Sequence, residues 1–383
     1  MAANSRVAMA LRVAFLTSAM LALATLLAFC QAGNWFLDSS GQPRLHDFAV
    51  FWTAARRVLA GEASLIYDRA AHEALQAALT GQPVKHGLAY PYPPDSLLLI
   101  WPLGLLSYGA AWLAFALAGL AGWIVVLHRV VREWSLALGM ALALGAGTQS
   151  LLLGQNGFVT AALVCGAMLL LPRHKGWAGI AIGILSLKPH LAASAFLALL
   201  IWREWRALQF AFGTVAILVA LTTLVFGTEI WLRFLDGNAA FADYVAAGRG
   251  TLIEPLMQSV LALALRSTSW PVAIAVHAGT ALVAVCFLAL PKQADHRAAA
   301  LAAAIILVTP FSYFYDTTML VGGAAFLLRS ARSPVEAAAI GGTALLPGLW
   351  FVAGGPIGAL TALLILVLTL NQVRREDRLP MAG

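Results

Sequence analysis

The sequence predicts an all-α polytopic membrane protein, a bundle of about 10 to 13 transmembrane helices with an outer loop that carries surface helices. Three observations predict it. Of the 383 residues, 61% are hydrophobic and only 11% are charged, where a soluble protein carries about 25% charged residues. The mean hydropathy is +0.84, more apolar surface than a chain of this size hides in water. The apolar residues run in long stretches rich in Leu and Ala, without the alternation of a membrane barrel. This composition excludes a soluble globular enzyme, a disordered chain and a disulfide scaffold.

The apolar blocks fall at 9–30, 96–131, 135–152, 157–171, 176–187, 189–201, 207–227, 270–290, 298–310, 316–329, 335–352 and 356–371, with 256–266 as a further, re-entrant candidate. The first block follows Arg6 and Arg12. Phe29 is bulky where a cleaved leader needs a small residue, so the block reads as an uncleaved span. Block 96–131 exceeds one span and holds Pro102 and Gly104, so it reads as a short helix leading into a full one. Several others are shorter than the ~20 residues a crossing needs, so some pair, tilt or run into polar loops.

The formal charge is +7 and the pI about 9.7. In such a chain the position of the charges matters more than their sum, and no nucleic-acid partner is expected. With the amino terminus on the cytoplasmic side, short cytoplasmic loops hold Arg129 and Arg132, Arg173 and Lys175, Arg203 and Arg206, Arg329 and Arg332, and Arg374 and Arg375. That distribution fits the positive-inside rule and implies contact with membrane lipids. Two long segments then lie outside, 31–95 and 228–254, in a single integral-membrane domain spanning 1–383. Residues 47–60 and 68–79 of the first have helical composition. Trp35, Phe36, Phe48, Phe51, Trp52 and Tyr67 point to helices lying along the membrane surface. Cys30, Cys165 and Cys286 sit in or beside apolar stretches with no C-x-x-C spacing, which is no redox or metal motif.

The unusual polar residues gather near the outer ends of the apolar blocks, where unpaired polar groups are costly and mark function by default. Asp47 has two readings. It is placed to cap the helix that follows, or it is a general base in an aromatic loop that raises its pKa. Lys188, before Pro189, is either a snorkelling interface residue or an anion ligand at a helix amino terminus, with His190 beside it. Gln155 and Asn156 form the centre of GQNG, a tight turn or a binding loop. Tyr92 lies in the rigid YPYPP segment, and Tyr313, Tyr315 and Asp316 in TPFSYFYD. Arg56 sits on the loop helix, within reach of an anionic headgroup or phosphate. Asp47, Asp68, Asp95 and Asp316 have no metal-ligand spacing, and no metal or other cofactor is expected. No P-loop, zinc-protease, serine-hydrolase or dinucleotide motif occurs, so the energy source is a lipid-borne substrate or a gradient.

HDFAVFWTAARRVLAGEASLIYD at 46–68, YPYPPDSLLLIWPL at 90–103, GQNG at 154–157, GILSLKPH at 183–190 and TPFSYFYDTTML at 309–320 together resemble glycosyltransferase family 87. These are GT-C transferases typified by actinobacterial alpha-1,2-mannosyltransferases. The resemblance implies inverting transfer of a sugar from a polyprenyl-phosphate donor to a lipid-linked or glycan acceptor. The reaction would take place at the outer face of a bacterial cytoplasmic membrane. Asp47 matches the family's catalytic acid and Lys188 a donor-phosphate contact. The late motif departs from the mannosyltransferase pattern: Tyr313, Phe314, Tyr315 and Asp316 stand where those relatives carry Trp, Asp and His. Mannose is therefore one donor sugar among other hexoses and pentoses. The competing readings are a lipid or glycan transporter or flippase, and a non-catalytic subunit of an envelope-assembly machine. Transporters place ionisable groups at the bilayer midplane in related halves, whereas here they stand at helix ends.

Overall fold

The computed structural model describes residues 5–35, 37–40, 42–81, 88–244 and 256–377. Among these the chain is helical, and its pairing outside helices is limited to two isolated bridges, Leu37 with Pro43 and Met257 with Tyr313. The protein is an all-α polytopic membrane protein. Much of the second long loop, 245–255, and Phe36 of the first lie outside the described residues.

Among the described residues, six helices are long and apolar enough to cross a membrane: Arg6–Gln31, Tyr108–Val131, Trp205–Phe226, Trp270–Phe287, Pro334–Ala353 and Ile357–Glu376. A seventh forms if Trp134–Leu142 and Ala146–Leu153, bent by 62°, count as one span. The expectation of about 10 to 13 membrane helices counted every apolar block. Pro94–Leu105, Gly157–Leu170, Lys175–Leu187 and Pro189–Ile201 have 10–17 residues each and are too short to cross alone. Apolar runs report burial without saying what buries them, and here protein covers several.

The core shows this division. Helix Ala294–Val308 is alanine-rich, and His296 and residues 298–307 are buried. It packs against Thr318–Ser330 and Ile357–Asp377, since small side chains let backbones approach without a hydrophobic driving force in lipid. The perimeter helices instead expose Phe212, Ile217 and Leu224, or Ile274, Leu282 and Val283. Away from the polar turns, ion pairs tie helix ends together: Lys175 to Glu204 at 2.7 Å, Arg329 to Asp295 at 3.2 Å and Arg375 to Glu336 at 2.9 Å.

The first long loop contains helices Phe48–Leu59 and Arg69–Thr80, at the expected places. Two aromatic residues of the first helix face the protein, Phe48 at 0% and Phe51 at 2% exposed, while Trp52 is half-buried. Phe51 packs on Tyr92 and Phe115, and Phe48 on Tyr108 and Phe115. This forms a second core beside the helical bundle. Helix Tyr108–Val131 starts in that core, so the loop is fastened to the end of a span. The second long loop begins with helix Glu229–Tyr244, whose Phe234 ring meets Tyr67 at 5.6 Å. The two long loops therefore lie on the same side of the bundle.

Candidate functional site

Asp47 stands at the cap position of helix Phe48–Leu59, but its backbone is already helical (φ −53°, ψ −29°) and its side chain makes no capping hydrogen bond. A capping side chain needs an extended backbone at that residue to turn onto the helix amides. The carboxylate points elsewhere: Gln155 Nε2 donates to Asp47 Oδ2 at 3.1 Å. Burial of the carboxyl pushes its pKa above the usual carboxylate range, while the Gln155 bond and the Lys188 charge oppose the rise. His46 holds the preceding turn. Its Nε2 lies 2.9 Å from the Trp35 carbonyl, so that nitrogen carries the hydrogen.

GQNG is more than a turn. Gly154 has φ +64°, and a Cβ there would sit 2.5 Å from Phe48 Cβ. A Cβ on Gly157 would meet the Tyr315 carbonyl oxygen at 2.4 Å. The first glycine lets the loop lie against the residue that follows Asp47. The second lets the start of helix Gly157–Leu170 touch the late motif. Between them, Gln155 Oε1 accepts from Tyr92 Oη at 3.0 Å and from Asn156 N at 3.2 Å. One side chain thus joins Tyr92, Asn156 and Asp47. Asn156 is buried, and its Oδ1 has no hydrogen-bond partner in the structure. Gly157→Ala forces either the helix or the late motif to move. The expected cost is about 1–3 kcal/mol, measured as a lowered Tm together with loss of activity.

Lys188 is 3% exposed, so it does not snorkel. Its Nζ donates to Asp316 Oδ1 at 2.7 Å and lies 4.5 Å from the centre of the Tyr315 ring. Asp316 Oδ2 accepts from Tyr313 N at 2.9 Å. Both carboxylate oxygens are therefore occupied, and this acid positions the lysine. The Tyr313 and Tyr315 rings stack at 5.7 Å. Tyr313 is further fixed by its bridge to Met257, where the second long loop ends. His190 is exposed in the first turn of helix Pro189–Ile201, and its carbonyl accepts from Thr309 Oγ1 at 3.3 Å.

The structure thus gathers Asp47, Gln155, Asn156, Tyr92, Lys188, Tyr313, Tyr315 and Asp316 from five separated segments, with His190 at the edge. Arg56 stands apart from them. Its guanidinium donates to the Gly104 carbonyl at 3.3 Å and lies over Trp52 at 5.7 Å, which makes it a brace between the loop helix and the segment after YPYPP. Asp95 was legible only as one of four scattered acids. It is buried between two of the motifs, where Ser186 Oγ donates to Oδ2 at 3.3 Å and Oδ1 has no partner. Its signal was its place after Pro93 and Pro94, at the start of a buried turn. Asp68 caps helix Arg69–Thr80 by accepting from Ala71 N at 3.0 Å. Among the described residues, no three His, Cys, Asp or Glu side chains stand close enough to hold one metal ion.

Chemically, this is a reachable carboxylate of raised pKa beside a buried cation. Two helix amino termini start within the cluster, at Gly157 and Pro189. Such an arrangement accepts a proton from one group and receives negative charge on another. No curated protein and no solved structure is found to match the chain. Residues 90–312, more than half of the chain, match the model of glycosyltransferase family 87. The match takes in Tyr92, Gln155, Asn156, Lys188 and His190, while Asp47, Tyr313, Tyr315 and Asp316 lie beyond its limits. The chain belongs to glycosyltransferase family 87, as a multi-pass membrane glycosyltransferase.

Proposed function

We propose that this glycosyltransferase moves a sugar from a polyprenyl-phosphate donor to a lipid-linked or glycan acceptor, with Asp47 as the general base and inversion at the anomeric carbon. The site faces the outside of a bacterial cytoplasmic membrane. The observation that carries the reading is Asp47 itself. It occupies a cap position without capping, and its carboxylate is held by Gln155 in a cluster that includes Lys188.

In the reaction, Asp47 takes the proton from the acceptor hydroxyl as that oxygen attacks the anomeric carbon. The bond from that carbon to the phosphate oxygen breaks, and the polyprenyl phosphate leaves with the electron pair. Lys188 and the amino terminus of helix Pro189–Ile201 receive the charge. Asp316 neutralises Lys188 in the resting site, but an ammonium carries three donors, and one bond to Asp316 leaves capacity for phosphate oxygens. Inversion is part of the proposal, and it fits the arrangement: Asp47 is the acid placed to activate the acceptor, while Asp316 is held by one bond on each oxygen, to Lys188 and to the Tyr313 amide. A polyprenyl tail partitions into lipid, so its phosphate sits at the depth of the helix ends. The absence of any nucleotide motif in the sequence supports a lipid-borne donor.

The test is transfer by purified protein in nanodiscs, with a panel of radiolabelled polyprenyl-phosphate sugars and a membrane-lipid extract as acceptor. Label in a product lipid identifies the donor. No transfer from any donor by well-folded protein overturns the reading and makes lipid flipping the next assay. The pH profile adds a second check. Asp47 acts only when ionised, so kcat/KM falls as pH drops through its raised pKa. Gln155→Leu removes a bond that holds this pKa down, so the acid limb of kcat/KM moves to higher pH. An unmoved limb removes Asp47 from the proton transfer.

A further inference from the structure

A cavity of about 230 Å³ opens between the two long loops, and Asp47 is not part of its wall. Tyr67, Arg69 and His72 come from the first loop, Tyr90 from the strand-like YPYPP segment, and Arg233 and Asp236 from helix Glu229–Tyr244. At the ~30 Å³ share of liquid volume for one water, there is room for one sugar ring. We propose that this cavity is a sugar-binding subsite that holds a unit of the acceptor glycan beyond the reacting one; this rests on the glycosyl-transfer reading above.

The chemistry of the wall fits a neutral polyhydroxyl ligand. Tyr67 Oη donates to the Tyr92 carbonyl at 2.9 Å and Tyr90 Oη pairs with Ser96 Oγ at 2.6 Å. With both hydroxyls used, what these residues offer a ligand is ring surface, against which the C–H face of a sugar packs. His72 is 1% exposed; its Nε2 is 3.3 Å from Thr53 Oγ1, and its Nδ1 has no hydrogen-bond partner in the structure. Burial holds its pKa down to about 4, so at neutral pH the ring is uncharged and adds no cation to the wall. Arg233 binds Glu229 at 3.0 Å and Arg69 binds Glu73 at 2.8 Å, both in partly exposed pairs. Such pairs are weak, and the Arg233 guanidinium, with five donors, is placed to offer some of them to hydroxyl oxygens. Asp236 adds an acceptor. With each cation already beside an acid, the rim does not favour an anion, which argues for a sugar over a phosphate.

Position completes the case. Tyr67 donates to the carbonyl of Tyr92, and Tyr92 donates to Gln155, which holds Asp47. Three hydrogen bonds, through Tyr92 and Gln155, thus link the cavity wall to the proposed base. It is built wholly from the two long loops, on the side where a water-soluble glycan reaches the protein.

Saturation-transfer NMR tests the subsite directly. The protein, wild type and the double variant Arg233→Ala/Asp236→Ala, is placed in nanodiscs free of alkyl-glycoside detergent. The probes are methyl glycosides of common hexoses and pentoses and their disaccharides. Both substituted residues are exposed, so the fold does not depend on them, and a matching Tm checks this. Saturation is expected to reach at least one probe in wild type and in Asp47→Asn, and to drop severalfold in the double variant. In the transfer assay the double variant raises the acceptor KM about tenfold and leaves the donor KM in place. No saturation of any probe by wild type, or equal saturation by both proteins, overturns the subsite even if sugar transfer is robust. Saturation that is lost in the double variant, with no transfer from any donor, keeps the subsite and overturns the transfer reading instead.

Discussion

Asp47→Asn is expected to lower sugar transfer by about a thousandfold, within the 10²–10⁴ range of a positioned general base, while the protein folds and still binds donor. The amide keeps the size of the carboxylate and an oxygen that can accept from Gln155 Nε2, so the loop keeps its place. What it loses is the ability to take a proton. Stability moves the opposite way from activity. Burial raises the pKa of Asp47, so the folded state favours the protonated carboxyl. The ionised form costs stability that grows as pH rises from the unfolded pKa through the folded one. A neutral Asn avoids that cost, so a Tm at neutral pH equal to or slightly above wild type is expected. Near-normal transfer by Asp47→Asn, measured with the same donor and acceptor, would sink the assignment of the base.

Lys188→Met is expected to be the most damaging single substitution for stability. Lys188 and Asp316 are 3% and 0% exposed and bonded at 2.7 Å. Removal of the lysine leaves a buried carboxylate with only the Tyr313 amide as partner. Breaking a buried pair from one side costs about 3–5 kcal/mol, which a thermal melt in nanodiscs reads as a large drop in Tm. The double variant Lys188→Met/Asp316→Asn separates structure from chemistry. The Asn oxygen still accepts from Tyr313 N, no charge is stranded, and most of the Tm returns. Transfer does not return, because the proposed phosphate contact is gone. A double variant that regains both stability and wild-type turnover limits Lys188 to a structural role.

The family and the fold class were legible because they rest on composition and local pattern. A chain with this hydropathy has only helices or a barrel to choose from, and its runs of Leu and Ala choose helices. The motif residues were legible as rare polar groups at the ends of apolar blocks, which is a statement about cost and needs no coordinates. Helical composition also marked both helices of the first loop, which the structure places at Phe48–Leu59 and Arg69–Thr80.

Partnership was beyond sequence reasoning. Asp47 reads equally well as a cap or a base, because both want an acid just before a helix. Only the backbone angles and the bond to Gln155, 108 residues away, show that it does not cap. Lys188 looks like a snorkelling lysine until Asp316 arrives from 128 residues further on. Arg56 looked like a phosphate ligand because charge alone carries no address, and its helix turns it toward the Gly104 carbonyl. Which apolar blocks form helices long enough to cross was hidden for the same reason: an apolar run is equally content in lipid or against another helix. The sequence determined that this chain lives in a membrane, which polar residues are costly there and which family it belongs to, since each follows from residue type and spacing along one strand of text. The tertiary structure decided which of those residues meet, since pairing across a hundred residues is set by packing, and packing has no local signature.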